Sequence, residues 1–206
     1  NNPRKIAKPD AKDPATLSPE QRSRLTFDFG SEERQRWHYA PRPRSGIARG
    51  EMSATQLAAA DSLMADSLSE TGYKKAQAII RHELILGRVE TRQGAMQFPR
   101  DPGLYSYTLF GSAGGEEPWG WQLDGHHLCL NYTIIGGHIV SATPSFFGAN
   151  PAEVKSGHEK GLRILVEEED LGRGLLLSLE TDQRLRAVIY PTAPADIITR
   201  ASPHVD

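Results

Sequence analysis

Cysteine is almost missing from this chain: Cys129 is the only one in 206 residues. A lone thiol excludes an internal disulfide, so packing alone must hold the fold. Long apolar runs are missing too, and no stretch approaches the ~20 residues a membrane-spanning helix needs. Charge of one sign is scarce. A net charge of −2 gives no electrostatic case for a nucleic-acid partner. Four signatures of chemistry are also absent: the G-x-S-x-G elbow, the phosphate-binding glycine loop, C-x-x-C and H-E-x-x-H.

What remains is an ordinary globular composition, 24% charged and 38% hydrophobic, long enough for one sizeable core. Residues 1–17 are polar, Pro-containing and mildly basic, and are expected to be disordered. The chain opens on Asn1, as a mature terminus left by signal-peptide cleavage or an excised piece would. Residues 18–192 are expected to form one domain, itself whole or part of a larger one. Residues 193–206, with Pro194 and Pro203, read as a linker or loop.

Capping signals mark the helices. Ser18-Pro-Glu-Gln21 and Ser53-Ala-Thr-Gln56 both have capping-box spacing, and Ser31 can open a short turn. Behind Ser53, Leu57, Ala60, Met64 and Leu68 recur at helical spacing, with Gly72 as the expected C-cap. Tyr73, Ala76, Ile80 and Leu84 continue as a second helix expected to stop near Gly87. From Leu104 the period becomes that of strands. Trp119–Ile135 is expected as one long strand, Gly136–Gly137 as a tight turn, and His138–Phe147 as the return strand, with Pro144 at an edge or bulge. Helical spacing returns through Leu162, Leu165 and Val166, then Leu171, Leu175 and Leu179. A break is expected at Gly172 and Gly174, with Thr181 capping a last helix. The predicted class is α+β: a helical hairpin, an antiparallel hairpin or meander, then C-terminal helices.

Residues with chemistry gather between Trp119 and Pro151, which hold two of three tryptophans, three of seven histidines and the cysteine. On an uninterrupted strand, His126 shares a face with Leu128 and Leu130, while His127 shares one with Cys129 and Asn131; a bulge at Gly125 would exchange the histidines. His127 and Cys129 could then reach one zinc or copper ion, although two ligands do not complete a site. The bland alternative is a solvated histidine beside a small buried hydrophobe. In the strip from Arg36 to Arg44, Trp37, His38 and Tyr39 precede Arg42 and Arg44, which could clamp a carboxylate or phosphate, or pair with local acids such as Glu33. The acidic run from Glu167 to Asp170 reads as a solvated helix face.

Several ordered blocks carry a family resemblance. They are R-W-H-Y-x-P-R-P-R from Arg36, W-G-W-x-x-x-G-H-H-L-x-L-N-Y-T from Trp119, P-S-F-F-G-A-N-P-A-E-V from Pro144 and G-L-R-I-L-V-E-E-E-D-L-G-R from Gly161. Together with Q-R-L-R-A-V-I from Gln183, they resemble the bacterial family called domain of unknown function 3500, over about Ser18 to Ile189. The resemblance implies an exported, extracytoplasmic protein and longer relatives, of which this chain matches the N-terminal half. A second half or second chain is then an expected partner, beside a small-molecule ligand. The positions matching the family's blocks are Trp37, His38, Tyr39, Arg42, Arg44, His126, His127, Asn131 and Asn150.

The expected function is a histidine-centred small-molecule site, in a metal-assisted hydrolase or an oxidoreductase. His127, or His126 after a register shift, is the expected base or metal ligand, with His38 and Asn131 beside it and Arg42 or Arg44 holding an anion. The alternatives are a non-catalytic module that stacks a glycan or aromatic ligand on Trp37, Tyr39 and Trp121, or a scaffold completed by a missing part.

Overall fold

The computed structural model describes residues 17–202. It comprises two compact units, Asn1–Pro151 and Ala152–Asp206. Residues 1–16 of the expected disordered segment, and 203–206 of the expected linker, lie outside the described residues. The chain is α+β, with five α-helices and a mixed seven-stranded sheet among the described residues.

The capping boxes form as the sequence dictates. Ser18 accepts from the Gln21 amide at the start of α1 (Pro19–Leu25), and Ser53 accepts from the Gln56 amide at the start of α2 (Ala54–Ser67). Ser31 caps a short 3-10 turn, Glu32–Gln35. Two glycine expectations fail in α3 (Glu70–Gln93). Gly72 is not a C-cap: Ser69 restarts the helix by accepting from the Gly72 amide, so that glycine lies in its first turn. Gly87 does not stop the helix, which runs on to the left-handed cap Gly94. A Cβ at Gly87 would meet that of Arg100 at 3.1 Å, so this glycine admits a neighbouring chain.

The sheet is built around three strands, β3 (Ser106–Phe110), β4 (Trp119–Gly125) and β5 (Leu128–Ile135), paired antiparallel in that order. Two short strands share the outer edge of β3: β1 (Thr26–Phe27), parallel to it, and β2 (Ile47–Ala48), antiparallel. Two more share the outer edge of β5, β6 (His138–Ser141) and β7 (Ser145–Phe147). Gly136 and Gly137 make the turn into β6, both at positive φ. The return strand splits at Pro144 because proline cannot donate to the ladder.

The expected long strand Trp119–Ile135 is two strands. It reverses at His126 and His127, where Gly125 pairs with Leu128. Both faces of β4 and β5 are then buried, and Tyr107, Trp121 and Tyr132 stack across the three central strands at 6.1 and 4.8 Å between centroids.

The second unit contains α4 (Val166–Ser178) and α5 (Thr181–Ala187). Helix α4 passes through Gly172 and Gly174 without the expected break, since two glycines lower helix propensity without removing a hydrogen bond. Leu162 and Leu165 precede the helix, and Glu180 rather than Thr181 holds the N-cap position of α5. Glu169 and Asp170 of the acidic run pair with Arg163. Leu171, Leu175 and Leu185 are 73%, 64% and 75% exposed.

Candidate functional site

The turn between β4 and β5 is tied down from three directions. The Tyr105 hydroxyl donates to the His126 carbonyl (2.6 Å), the His127 amide donates to the Tyr39 carbonyl (2.9 Å), and the Gly148 amide donates to the His127 carbonyl (2.7 Å). His127 sits at φ 63°, a left-handed conformation that histidine tolerates better than most side chains. Gly125 leaves the space where the Tyr105 ring lies. Because the histidines occupy a turn, the alternation of a strand does not apply. Their rings stack with centroids 3.8 Å apart instead of diverging.

His126 is the member of the pair with a polar environment. Its Nδ1 lies 2.6 Å from Oε1 of Glu83, delivered by α3. A carboxylate only accepts, so Nδ1–H donates to Glu83 and the neutral ring keeps its lone pair on Nε2. Among the described residues nothing hydrogen-bonds Nε2. Arg100 closes the cluster from the other side. Its Nε and Nη2 hold Glu90 bidentately at 2.8 Å each, while Nη1 lies 3.3 Å from His126 Nδ1. Since Nδ1 carries a hydrogen, that last approach is donor to donor and is sustained by Glu83 and Glu90 around the guanidinium. The hydrogen bond from Arg100 holds the Glu90 carboxyl below its ordinary range against the opposing effect of burial.

His127 is packed rather than bonded, and its ring makes no hydrogen bond among the described residues. Burial, then His126, Arg100 and His82, push its pKa down to about 3, so at neutral pH it is an uncharged imidazole. His82, buried on α3, places Nε2 3.0 Å from the Pro151 carbonyl and leaves Nδ1 without a partner.

The Arg36–Arg44 strip meets Asp124 and, through the Tyr39 carbonyl, the His127 amide. Arg44 lies 3.1 Å from the Asp124 carboxylate through Nε and donates to the carbonyls of His38, Ala40 and Arg42. The carboxylate it meets is one of the chain's own, paired by charge through this single nitrogen. The His38 amide donates to Asp124 at 3.2 Å, and His38 Nδ1 accepts from the Ala40 amide. The Cys129 thiol donates to the same carboxylate at 2.9 Å. Burial raises both the Asp124 and the Cys129 pKa, so this thiol is a buried, protonated group. Asn131 is equally enclosed: its carbonyl accepts from Gln122 at 2.7 Å and its amide donates to Pro144 at 3.0 Å. Arg42 is exposed. Trp37 and Tyr39 pack on Phe146, and Trp121 is 1% exposed inside the aromatic stack, so its face is not a surface platform.

His127 and Cys129 therefore do not share a strand face. Among the described residues no group of three His, Cys, Asp or Glu side chains could hold a metal ion. The site brings together His126 and His127, while the Asn131 side chain is bonded to Gln122 and Pro144. It adds Glu83, Glu90, Arg100 and Tyr105, which local pattern did not single out. A signal for two of them exists: Ala76, Ile79, Ile80, Glu83 and Leu86 are the buried stripe of α3, so Glu83 is a charge on an apolar face, with Glu90 two turns on.

No curated protein matches this chain, and no solved structure matches it. The profile for Protein of unknown function (DUF3500) matches residues 4–205, nearly the whole length, and the chain therefore belongs to that family.

Proposed function

We propose that the β4–β5 turn is a small-molecule site in which His126 is a general base and Glu83 its orienting partner. One observation carries the reading: Nδ1 is committed to Glu83 at 2.6 Å while Nε2 has no partner among the described residues. An imidazole so held presents its lone pair in one direction and is stabilised by the carboxylate as it takes a proton. Tyr105 fixes the backbone at His126, and Arg100 and Glu90 are positioning residues that close the far side. His127 supports the ring of His126 by stacking. Hydrolysis, with water as the proton donor to Nε2, and proton abstraction from a carbon acid are both within reach of this arrangement. Export, expected from the resemblance, belongs to the same reading and is tested by cell fractionation.

Diethyl pyrocarbonate acylates unprotonated imidazole nitrogen, and peptide mass mapping locates the product. His126 is expected to react ahead of His127 and His82, and Glu83→Gln to slow it several-fold. On a panel of small esters and carbon acids, His126→Gln should cost about 10²–10⁴-fold in turnover. A His126 no more reactive than the exposed His138 would overturn the base assignment.

The leucines of the second unit support an additional reading, that it docks against further polypeptide. Leu171, Leu175 and Leu185 are among the most exposed apolar side chains of the chain, and patches of this kind mark interaction surfaces. Replacing all three with glutamine should change unfolding stability by no more than about 0.5 kcal/mol each while reducing self-association in sedimentation. A large loss of stability would show that they are packed within the unit and refute the docking role.

A further inference from the structure

The central strands have two unlike faces. In the register of β3, β4 and β5, Tyr107, Trp121, Leu123, Leu130 and Tyr132 lie on an apolar face. Ser106, Thr108, Gln122, Asp124, Cys129 and Asn131 lie on the other, with Phe110 at one end. All of these but Asp124 are buried. Buried polar groups need partners, and several of these find theirs in the Arg36–Arg44 strip. Gln122 donates to the Arg36 carbonyl at 2.5 Å, and Asp124 accepts from the His38 amide at 3.2 Å and meets Arg44 at 3.1 Å. Arg44 also gathers the carbonyls of His38, Ala40 and Arg42, so the strip is tied to itself at the same point. Of residues 36–44, Trp37 alone is a buried hydrophobic side chain, and its indole N–H has no hydrogen-bond partner among the described residues. Lifting the strip would give up the packing of Trp37 and Tyr39 on Phe146 and uncover a face that water solvates readily. The apolar burial that holds the sheet lies on the opposite face and would be kept.

We propose that Arg36–Arg44 is a strap that lifts from the polar face as a unit while the sheet stays folded, with Asp124 as its latch. At the latch, one carboxylate receives both the His38 amide and the charge of Arg44. The strap also carries the Tyr39 carbonyl, which accepts from the His127 amide at 2.9 Å. Lifting therefore releases one of the three bonds that tie the histidine turn, while those from Tyr105 and Gly148 come from other elements and remain. The strap sets how firmly His126 and His127 are held. It also covers Cys129, whose thiol shares the Asp124 carboxylate with the His38 amide and is fully buried. The inference stands apart from the base assignment to His126.

The lone thiol and two amides supply independent probes in the wild-type chain. Native-state hydrogen exchange and modification of Cys129 by iodoacetamide should report one common opening constant for the His38 amide, the His127 amide and the thiol. That constant should exceed that of the β4 ladder amides by at least about 100-fold and depend only weakly on urea, because a local opening exposes little surface. Asp124→Asn keeps an oxygen that can accept from the His38 amide but removes the charge facing Arg44. It should raise the opening constant at the His127 amide at least about tenfold, more than at the ladder amides, although residue 124 does not bond that amide. Arg44→Lys, which keeps the charge and gives up the fork to the strap's carbonyls, is the milder variant and should act in the same direction. Amides of His38 and His127 that exchange only with the ladder, or at unrelated opening constants, overturn the strap. A thiol that reacts only on global unfolding does the same. If neither variant speeds the His127 amide beyond the ladder amides, Asp124 is not the latch and the proposal fails.

Discussion

Replacing Gly125 with alanine is expected to cost about 3–5 kcal/mol of stability, enough to leave a marginal domain largely unfolded. A Cβ there would lie 2.0 Å from Cδ1 and 2.4 Å from Cε1 of Tyr105. The ring cannot swing away. It is 1% exposed, and its hydroxyl is committed to the His126 carbonyl at 2.6 Å. The strand must shift or the ring must leave the core, and either disturbs the histidine turn. Gly136→Ala is the control: nothing lies within 4 Å of the added carbon, and only its φ of +56° is penalised, about 1 kcal/mol. Denaturant midpoints of the two variants separate steric from conformational cost. Adding Tyr105→Leu to Gly125→Ala should recover part of the loss. A Gly125→Ala protein that unfolds at the wild-type midpoint would mean that the ring does not lie over this glycine.

Acid should weaken the fold through His127. Its pKa falls from 6.5 to about 3 on folding, so between those values the unfolded chain binds a proton that the folded chain refuses. Stability from this group is complete above pH 6.5, declines as pH falls through the window, and is about 4 kcal/mol lower at pH 3. The charged neighbour that adds to burial is Arg100, and His126 and His82 act in the same direction. Carboxylates contribute acid sensitivity of their own, among them Glu90 and Glu51, whose depressed values add a loss at lower pH. The His127 share is isolated by His127→Asn, because asparagine accepts left-handed φ and does not titrate. Urea unfolding of wild type and variant from pH 7 to pH 3 should diverge steadily. Parallel curves would place the ring in solvent.

The division between local and tertiary information follows from the range of the forces involved. Caps, turns and breaks are decided within a few residues. The Ser18 and Ser53 boxes, the Gly136–Gly137 turn and the interruption at Pro144 are therefore all legible in the sequence. The blocks that identify the family are equally local, and they also pointed to the histidine pair. Glycine was less legible, because its role depends on its neighbours: Gly87 admits Arg100 and Gly125 admits Tyr105, and neither contact shows in spacing.

The site itself needed the fold. His126 meets a carboxylate 43 residues earlier, and the His38 amide meets Asp124 across 86. The sequence by itself determined the α+β class and the caps and turns that start most elements. Only the tertiary structure decided that His126 and His127 form a turn rather than a strand face, that Arg44 and Cys129 meet Asp124, and that Glu83 hydrogen-bonds His126. The reason is physical: a hydrogen-bond partner is selected by proximity in space, and chain separation carries almost no information about it once strands and helices have packed.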